Sequence, residues 1–509
     1  MLAPLLFLFA TAPASDVEQL LKQFVDVLVI AKREAADPVN TEQAIYQGAI
    51  PGMLRRLDPH SVFFDPAQYE QLKQMEHSEQ KGFGSVLSIL PGRVIVLQAV
   101  PGTPSAKAGL SPGDEILAVN NVALNRLDMD QLIGFLGQAR QQTAHLDVRR
   151  PGNARLLQFN LNPELVDSPS VDRWFLLRPG IGYVRVASFD PQTGRQLKQA
   201  IEKLGGNRLT GLVIDLRNNL GGVVQAAMES ASLFLKPGQR ILTVRGRTAK
   251  SEDVDVPKTA TPYSFPVAVL VNEKTASASE ILAGALQDHD RAVILGIPSY
   301  GKGLVQRVRP LSNNTALALT IAFYYTPSGR SIQKPLRAGQ LAVQLSSEKY
   351  RTDSGRAVTG GGGIEPDVFT PPEQPARLRI VLDASGILTN FATEFTHNNQ
   401  VTGDFQMTPA ILDEFQVFAA EHNIQPAISD WIREREWVQS RLQQEILNQG
   451  VGIEKGDEVE ARRDPAVRRA IEEITRKLAA RLVANGRAWP ESGLEARRRL
   501  RSGSLPFRS

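Results

Sequence analysis

The chain has 509 residues, which at about 150 residues per domain predicts roughly three domains. It carries 58 Lys and Arg against 54 Asp and Glu, a formal net charge of +4. It contains no cysteine, which excludes disulfide frameworks, thiolate zinc sites, iron–sulfur clusters and cysteine nucleophiles. The 6 histidines lie too far apart for an H-E-x-x-H zinc helix. The chemistry must therefore use hydroxyls, carboxylates, lysines or backbone dipoles.

The positive charge is concentrated at the C-terminal end. Residues 455–509 contain 14 Lys and Arg against 8 Asp and Glu, a net of +6, so residues 1–454 sum to −2. A basic tail of this kind leaves contact with an anionic membrane surface open. A solvated helix with a charged end is the simpler interpretation, and no nucleic-acid partner is expected.

The N-terminal residues resemble a secretory signal. Residues 2–10 form an apolar run too short to span a bilayer, and Ala12-Pro13-Ala14 follows as an A-x-A cleavage pattern. No Lys or Arg precedes the run, as a signal would normally require. We expect residues 1–14 to be a signal peptide and the protein to be exported to the bacterial periplasm or cell envelope. The alternative is an apolar N-terminal helix of the first domain.

The remaining pattern predicts four regions in chain order. Residues 16–79 are predicted to be a helical domain, in which Leu20, Leu21, Phe24, Val25 and Leu28 form one buried face. Residues 80–165 are strand-rich and divided by Pro-Gly and Gly-Asp turns. Residues 166–375 alternate strands with helices, which indicates an α/β sheet covered by helices.

Residues 376–509 are predicted to be a helical extension. Thr408-Pro409 and Asp464-Pro465 are N-cap and first-turn signals. The apolar face formed by Ala470, Ile471, Ile474, Leu478 and Leu482 predicts packing on the core or self-association, so a homo-oligomer remains open. The fold class is therefore α/β multidomain, with helical regions at both ends.

Three segments of the α/β region carry candidate chemistry. In the first, the apolar strand 267–271 leads through small residues to Ser277 and Ser279 at the start of a helix. Such a corner can present a hydroxyl beside free backbone amides, as an oxyanion site needs. Helix capping by either serine is the better interpretation of this segment alone.

The second segment places Lys302 between Gly301 and Gly303, four residues before Gln306. A lysine that acts as a general base must be neutral, which requires burial, and a glutamine could orient the amine without adding charge. A surface lysine in a turn is the alternative. Serine with lysine and no histidine is a known variant of nucleophile-and-base catalysis.

The third segment is a short buried strand followed by a polar turn that ends in Gly221 and Gly222. Gly221 and Gly222 could present a backbone N–H to an oxyanion, while Asp215 and Arg217 could hold the loop. A structural strand-to-helix connection with an ion pair explains the segment equally well.

In this order the three segments resemble the C-terminal processing (tail-specific) serine peptidase family. In chain order, its marks are a D-L-R-x-N-x-G-G turn, an S-A-S-A-S-E-I segment and a G-K-G-x-x-Q segment. Two departures are visible, since Thr275 stands where serine is common and Leu220 where proline is common. The resemblance covers roughly residues 17–375. It includes an L-D-P-x-S turn at 57–61 and a G-x-G-I-x-P-D-V motif at 359–368, where the core of the family ends.

The resemblance implies an α/β (crotonase-like) peptidase core. It implies a nucleophile at Ser277, a general base at Lys302, a polar helper at Gln306 and oxyanion amides at Ala278 and Gly221.

Three segments, 82–84, 100–110 and 113–120, resemble parts of a PDZ domain, which implies that residues 80–165 form one. This module captures a chain end as an added strand while loop amides hold the terminal carboxylate. Gly82, Phe83 and Gly84 match that loop, and Asn121 replaces a glycine. A PDZ fold that acts as a lid without peptide selectivity is the alternative.

The sequence therefore predicts a serine endopeptidase that cleaves protein substrates at or near their exposed C-terminal tails, with no metal and no organic cofactor. The alternative from another class is a catalytically inactive PDZ-containing peptide-binding or scaffold protein. An inactive protein should show a broken dyad, and here the serine, lysine and glutamine are all present.

Overall fold

A computed structural model describes residues 14–76, 79–90, 92–247, 251–335 and 350–484. The helices and strands in these residues lie in the order that the sequence predicts. The helices are α1 Ala14–Glu34, α2 Thr41–Gln43, α3 Ile50–Leu57, α4 Pro66–Glu76, α5 Pro104–Ala108, α6 Met129–Ala139, α7 Thr193–Leu204, α8 Val224–Ser232, α9 Ala278–Asp288, α10 Arg377–Ser385, α11 Ile387–Asn398, α12 Pro409–Glu421, α13 Ile428–Gly450, α14 Ile453–Arg463 and α15 Pro465–Ala484.

The strands are short, and most of them belong to the middle of the chain. They are β1 Val62–Phe64, β2 Glu79–Gly82, β3 Ser85–Leu90, β4 Arg93–Ala99, β5 Glu115–Val119, β6 Val122–Ala123, β7 Ala144–Arg149, β8 Leu157–Leu161, β9 Glu164–Asp167, β10 Val171–Arg178, β11 Ile181–Val186, β12 Gly211–Asp215, β13 Arg240–Arg245, β14 Glu252–Asp255, β15 Val267–Val271, β16 Ala292–Gly296, β17 Leu304–Pro310, β18 Ala316–Tyr325, β19 Tyr350–Arg351, β20 Ala357–Val358 and β21 Val368–Phe369.

The described residues divide into two units. The first contains the chain up to Gln71 together with Val305–Ile321, and the second contains nearly all the rest. The predicted signal peptide, residues 1–14, lies outside the described residues except for its last position. Among the described residues, no helix combines the length and the apolar character that a membrane span requires.

In the first unit, β1 pairs antiparallel with residues 316–318 of β18. The turn before β1 is held by the buried Asp58, whose carboxylate accepts hydrogen bonds from the backbone and hydroxyl of Ser61. Thr320 also donates its hydroxyl to Asp58.

The prediction that helix α1 buries its apolar face is wrong. Leu20, Leu21, Phe24 and Val25 remain between 44% and 64% exposed. Helical periodicity shows that a helix has an apolar stripe, but it does not show which surface, if any, covers that stripe.

The second unit begins with the strand-rich region, in which β3, β4, β5, β7 and β8 form an antiparallel sheet with β6 paired to β5. Its core is a cluster that includes Val94, Ile116, Leu132 and Val148. Helix α6 starts at a complete capping box formed by Asp128 and Gln131. This arrangement leaves a groove between β3 and α6.

The central sheet has the strand order β10-β11-β12-β15-β16-β21, in which every pair except β10–β11 is parallel. Strands β12, β15 and β16 are buried at every residue. Continuous burial is typical of parallel strands covered on both faces. The three strands therefore end side by side at one edge of the sheet.

Helices within residues 376–484 of the C-terminal extension complete the second unit. Helices α10 to α13 enclose an aromatic core that includes Phe391, Phe415 and Trp431. Ala470, Ile471 and Ile474 of α15 belong to one hydrophobic cluster with strands of the central sheet, which confirms the predicted packing on the core. Thr408 accepts the amide hydrogen bond of a helix cap, as its sequence signal predicts.

Asp457 of α14 ties the C-terminal extension to the edge strand β10. Its carboxylate lies 2.7 Å from Nε of Arg173. Burial raises the pKa of the Asp457 carboxyl from 3.8 to about 6, although the charge of Arg173 opposes the increase.

We predict that the stability of the Asp457→Asn variant, compared with that of the wild type, increases as the pH rises. Between pH 3.8 and 6 the folded protein binds this proton more tightly than the unfolded chain does, so its contribution to stability falls as the pH rises through that range. The neutral asparagine lacks this dependence. From pH 4.5 to pH 7.5, the free energy of unfolding of the variant should increase by about 1–2 kcal/mol relative to that of the wild type. Thermal and denaturant unfolding at both pH values measure this change. A constant difference between the two proteins over that range would contradict the prediction.

Candidate active site

The candidate residues of the second unit come from loops at the carboxyl edge of the central sheet. Strand β12 leads into the loop that ends at Gly221, β15 leads to Ser277, and β16 leads to Lys302. The register pairs β12 with β15 and β15 with β16. Loops at this edge of a parallel sheet converge, and it is where open α/β sheets bind their ligands.

Ser277 lies in a strained turn between β15 and α9. Its backbone has φ 57° and ψ −117°, a conformation that non-glycine residues rarely adopt. An ordinary N-cap residue is extended, so capping alone does not account for this geometry. The side chain is partly exposed, while its neighbours Ala276 and Ala278 are buried. A strained strand-to-helix corner that presents a serine is the arrangement used by hydrolases with a nucleophile elbow.

The other candidate serine has a structural role. Ser279 is fully buried, and its hydroxyl donates to the carbonyl oxygen of Asn219 at 3.1 Å. The amide of Ala276 donates to the same carbonyl at 3.0 Å. The threonine at 275, a departure from the family motif, donates its hydroxyl to the carbonyl of Leu216 at 2.8 Å. These three bonds hold the serine turn against the glycine loop.

Gly221 packs directly on the serine turn. A Cβ atom at this position, where φ is +98°, would lie 2.8 Å from the Cβ of Ser277 and 3.0 Å from the amide nitrogen of Ala278. Only glycine fits there. Ala278 supplies the first amide of α9, and first-turn amides have no acceptor within their own helix.

The amide of Gly221 is engaged within its own loop. It donates to Oδ1 of Asn219 at 2.9 Å, and the Asn219 side chain in turn donates to the carbonyl of Val186 at 2.7 Å. An oxyanion bound at this amide would therefore have to share or displace the asparagine oxygen.

The Glu280 carboxylate joins the serine turn to the lysine loop. Oε2 accepts the amides of Ser277 at 2.8 Å and Lys302 at 2.9 Å. Oε1 accepts the Ser299 hydroxyl at 2.5 Å and the Gly301 amide at 2.7 Å. Glu280 has no exposed surface. Burial raises the pKa of this carboxyl above its ordinary value, and the hydrogen bonds limit the increase.

Tyr324 forms a second link between the same segments. Its hydroxyl lies 2.5 Å from the carbonyl oxygen of Lys302 and 3.2 Å from that of Ser277. Burial, reinforced by the Glu280 charge, raises the pKa of this phenol well above 10. The hydroxyl therefore remains a neutral donor.

Lys302 is half-buried, and its backbone is fixed at both its amide and its carbonyl. The flanking glycines are required by close packing, because a Cβ at Gly301 would lie 2.6 Å from Lys334 and one at Gly303 would lie 3.0 Å from the Gln333 amide. Gln306 belongs to the first unit, where its side-chain amide donates to the carbonyl of His60 at 2.5 Å. Its role as helper of Lys302 stays a prediction.

The predicted carboxylate loop lines the groove of the strand-rich region. Gly82, Phe83 and Gly84 border a cavity of about 590 Å³ together with residues of β3 and α6. The loop is held from behind, since the amide of Val100 donates to the Gly84 carbonyl at 2.8 Å and that of Ser105 to the Phe83 carbonyl at 2.9 Å. The remaining lining is largely apolar and includes Leu87, Ile89, Ile133, Leu136 and Val166.

Sequence reasoning did not assign roles to Glu280, Tyr324 or Asn219. The S-x-x-E spacing from Ser277 to Glu280 is the only local signal, and it predicts a capping box rather than a link to a distant loop. Among the described residues, no group of three or more histidine, aspartate and glutamate side chains could hold a metal ion.

Comparison with known proteins shows the family of the chain. The model of peptidase family S41 matches residues 180–339, and a PDZ domain model matches residues 95–150. A carboxy-terminal-processing protease of Bartonella bacilliformis is 35% identical over 318 residues, which cover 61% of this chain and 72% of that protein. A carboxyl-terminal-processing protease of Synechocystis is 33% identical, covering 58% of this chain and 70% of the relative.

Among solved structures, a photosystem II D1 C-terminal processing protease is 27% identical, with a TM-score of 0.39. The match covers 70% of this chain and 94% of that structure. From the matched family models and the two bacterial relatives, the chain belongs to the carboxy-terminal-processing protease family of S41 serine peptidases with a PDZ domain.

Proposed function

We propose that the protein is a Ser–Lys endopeptidase that cleaves protein substrates at or near their C-terminal tails, and that its PDZ domain recognises the substrate end. The observation that carries the proposal is the bonding of the Glu280 carboxylate to the amides of both Ser277 and Lys302. That shared acceptor holds the two residues in one arrangement although 25 positions separate them in the sequence. Export to the bacterial cell envelope is part of the proposal and rests on the sequence of residues 1–14.

In the proposed reaction, neutral Lys302 takes the hydroxyl proton of Ser277 as Oγ attacks the scissile carbonyl carbon. The amide of Ala278 donates to the resulting oxyanion, and the amide of Gly221 does so by sharing or displacing its bond to the side-chain oxygen of Asn219. The tetrahedral intermediate then breaks its C–N bond, and the leaving amine takes the proton from Lys302. Water, deprotonated by Lys302, hydrolyses the acyl-Ser277 ester and restores the enzyme.

We predict that Ser277→Ala and Lys302→Ala each abolish cleavage. Loss of a nucleophile or its base costs roughly 10⁴-fold or more in kcat. The assay is cleavage of a protein with an unstructured apolar tail, together with labelling by a fluorophosphonate. Lys274 is an exposed lysine of the same segment, so Lys274→Ala should retain wild-type activity. Ser279→Ala should lose less activity than Ser277→Ala.

Undiminished cleavage by the Ser277 or Lys302 variant would reject the Ser–Lys assignment. Failure of the wild type to be labelled, with or without a bound tail peptide, would favour the alternative of an inactive peptide-binding protein.

We predict that Glu280→Gln lowers kcat at least tenfold while KM changes little. The amide keeps the size of the side chain but turns one acceptor into a donor that faces N–H and O–H donors. The loss of buried hydrogen bonds should also reduce stability by about 1–3 kcal/mol. Steady-state kinetics and thermal unfolding measure the two effects, and Glu273→Gln, at an exposed carboxylate of the same loop, is the control. Equal kcat values in these two variants would argue against a positioning role for Glu280.

We predict that Ile133→Asp weakens capture of the substrate end. Ile133 lines the PDZ cavity but is 53% exposed, so the substitution should not unfold the domain. A charge in an apolar pocket should reduce affinity for a peptide with an apolar C-terminal residue at least tenfold, measured by fluorescence anisotropy. Val122→Asp, at an exposed valine that does not line the cavity, is the control. Equal peptide affinity in Ile133→Asp and the wild type would contradict the prediction. A C-terminally amidated peptide that binds the wild type as well as the free acid does would argue against capture of the chain end.

A further inference from the structure

Asp464, in the C-terminal extension between α14 and α15, touches the glycine loop of the active site. Its Oδ2 accepts a hydrogen bond from Nη1 of Arg217 at 2.6 Å across 247 positions of sequence. Its Oδ1 accepts the amides of Ala466 at 2.8 Å and Val467 at 3.3 Å, which caps α15. The carboxylate therefore divides its two oxygens between a helix start and the loop arginine.

The Arg217 guanidinium is held from two sides. Nη2 lies 2.6 Å from Oδ2 of Asp215, and Nε lies 3.0 Å from Oδ1 of the same residue. Tyr183 donates its hydroxyl to Asp215 at 2.8 Å. The central sheet and its loops supply Tyr183, Asp215 and Arg217. Asp464 is the partner of Arg217 that comes from the C-terminal extension.

The loop that starts at Arg217 has little freedom before it reaches Gly221. Asn218, at φ 62°, exchanges hydrogen bonds with Asn272 of the serine segment. The carbonyl of Asn219 accepts from Ala276, and Gly221 packs on Ser277. A shift of the arginine would therefore move the Gly221 amide relative to the serine.

The extension provides a rigid support for this contact. Ala466, Val467 and Ala470 of α15 are buried in the same cluster as Val213 and Leu270 of the central sheet. Because α15 is anchored on the sheet, its capping aspartate has a fixed position relative to the loop. The S41 family match ends at residue 339, well before Asp464.

We propose that Asp464 is a positioning residue of the peptidase, which acts through Arg217 to hold the Gly221 amide in place for the oxyanion. This inference rests on the proposed function, because it assigns a task to the oxyanion amide. The C-terminal extension is then part of the catalytic apparatus of this chain as well as a cover for the sheet.

The test compares Asp464→Ser with Asp464→Asn. Both residues keep the helix cap. Serine is too short to reach Arg217, and asparagine, whose one oxygen caps α15, turns an NH2 group toward the guanidinium, so both variants lose the hydrogen bond to Arg217. Removal of an oxyanion donor lowers kcat about 10²–10³-fold, so displacement of the Gly221 amide should lower kcat about tenfold in both variants. The rate of fluorophosphonate labelling should fall in parallel, while KM and binding of a tail peptide stay within twofold. Asp457→Asn, which releases the tether to β10, should leave kcat unchanged.

A wild-type kcat in Asp464→Ser would overturn the inference, as would an equal loss in Asp457→Asn. If Asp464→Ser does not fold, the isosteric Asp464→Asn tests the inference through the same measurements of kcat, labelling rate and KM. A wild type that neither cleaves nor reacts with the probe would instead reject the proposed function.

Discussion

The geometry of the candidate active site depends on one buried carboxylate. Glu280 has no exposed surface, and it is stabilised only because donors from the serine turn and the lysine loop surround it. A buried charge without such partners is strongly unfavourable, so the donors and the carboxylate fix one another. This mutual constraint can hold Ser277 at a backbone conformation that is unfavourable by itself.

The parallel sheet explains why the C-terminal extension belongs to the core. Strands β12, β15 and β16 are apolar at nearly every position, so both faces of the sheet require a cover. Helix α15 supplies apolar residues on one face, although its other side is rich in arginine. Part of the positive charge of this region therefore lies on a structural helix, while residues 485–509, which carry most of the excess, lie outside the described residues.

The extension also contacts the PDZ domain. The guanidinium of Arg93 on β4 donates to the side-chain oxygen of Asn390 on α11 at 2.9 Å, and it pairs with Glu115 at 2.7 Å. One helical region thus contacts the PDZ sheet through α11 and the glycine loop of the peptidase through Asp464. Arg93 on β4 does not line the cavity of the PDZ domain.

The sequence by itself determined the order of strands and helices, the family and the segments that carry Ser277, Lys302 and Gly221. Those features are local, because strand runs, glycine turns and motif spacing depend on neighbouring residues. Tertiary structure decided the rest. The exposed face of α1, the engagement of the Gly221 amide by Asn219, and the links made by Glu280, Tyr324 and Asp464 depend on which distant segments meet. Hydrophobic periodicity does not predict contacts between distant segments. A polar side chain can be buried only where the fold supplies hydrogen-bond partners for it, and those partners lie far away in the sequence.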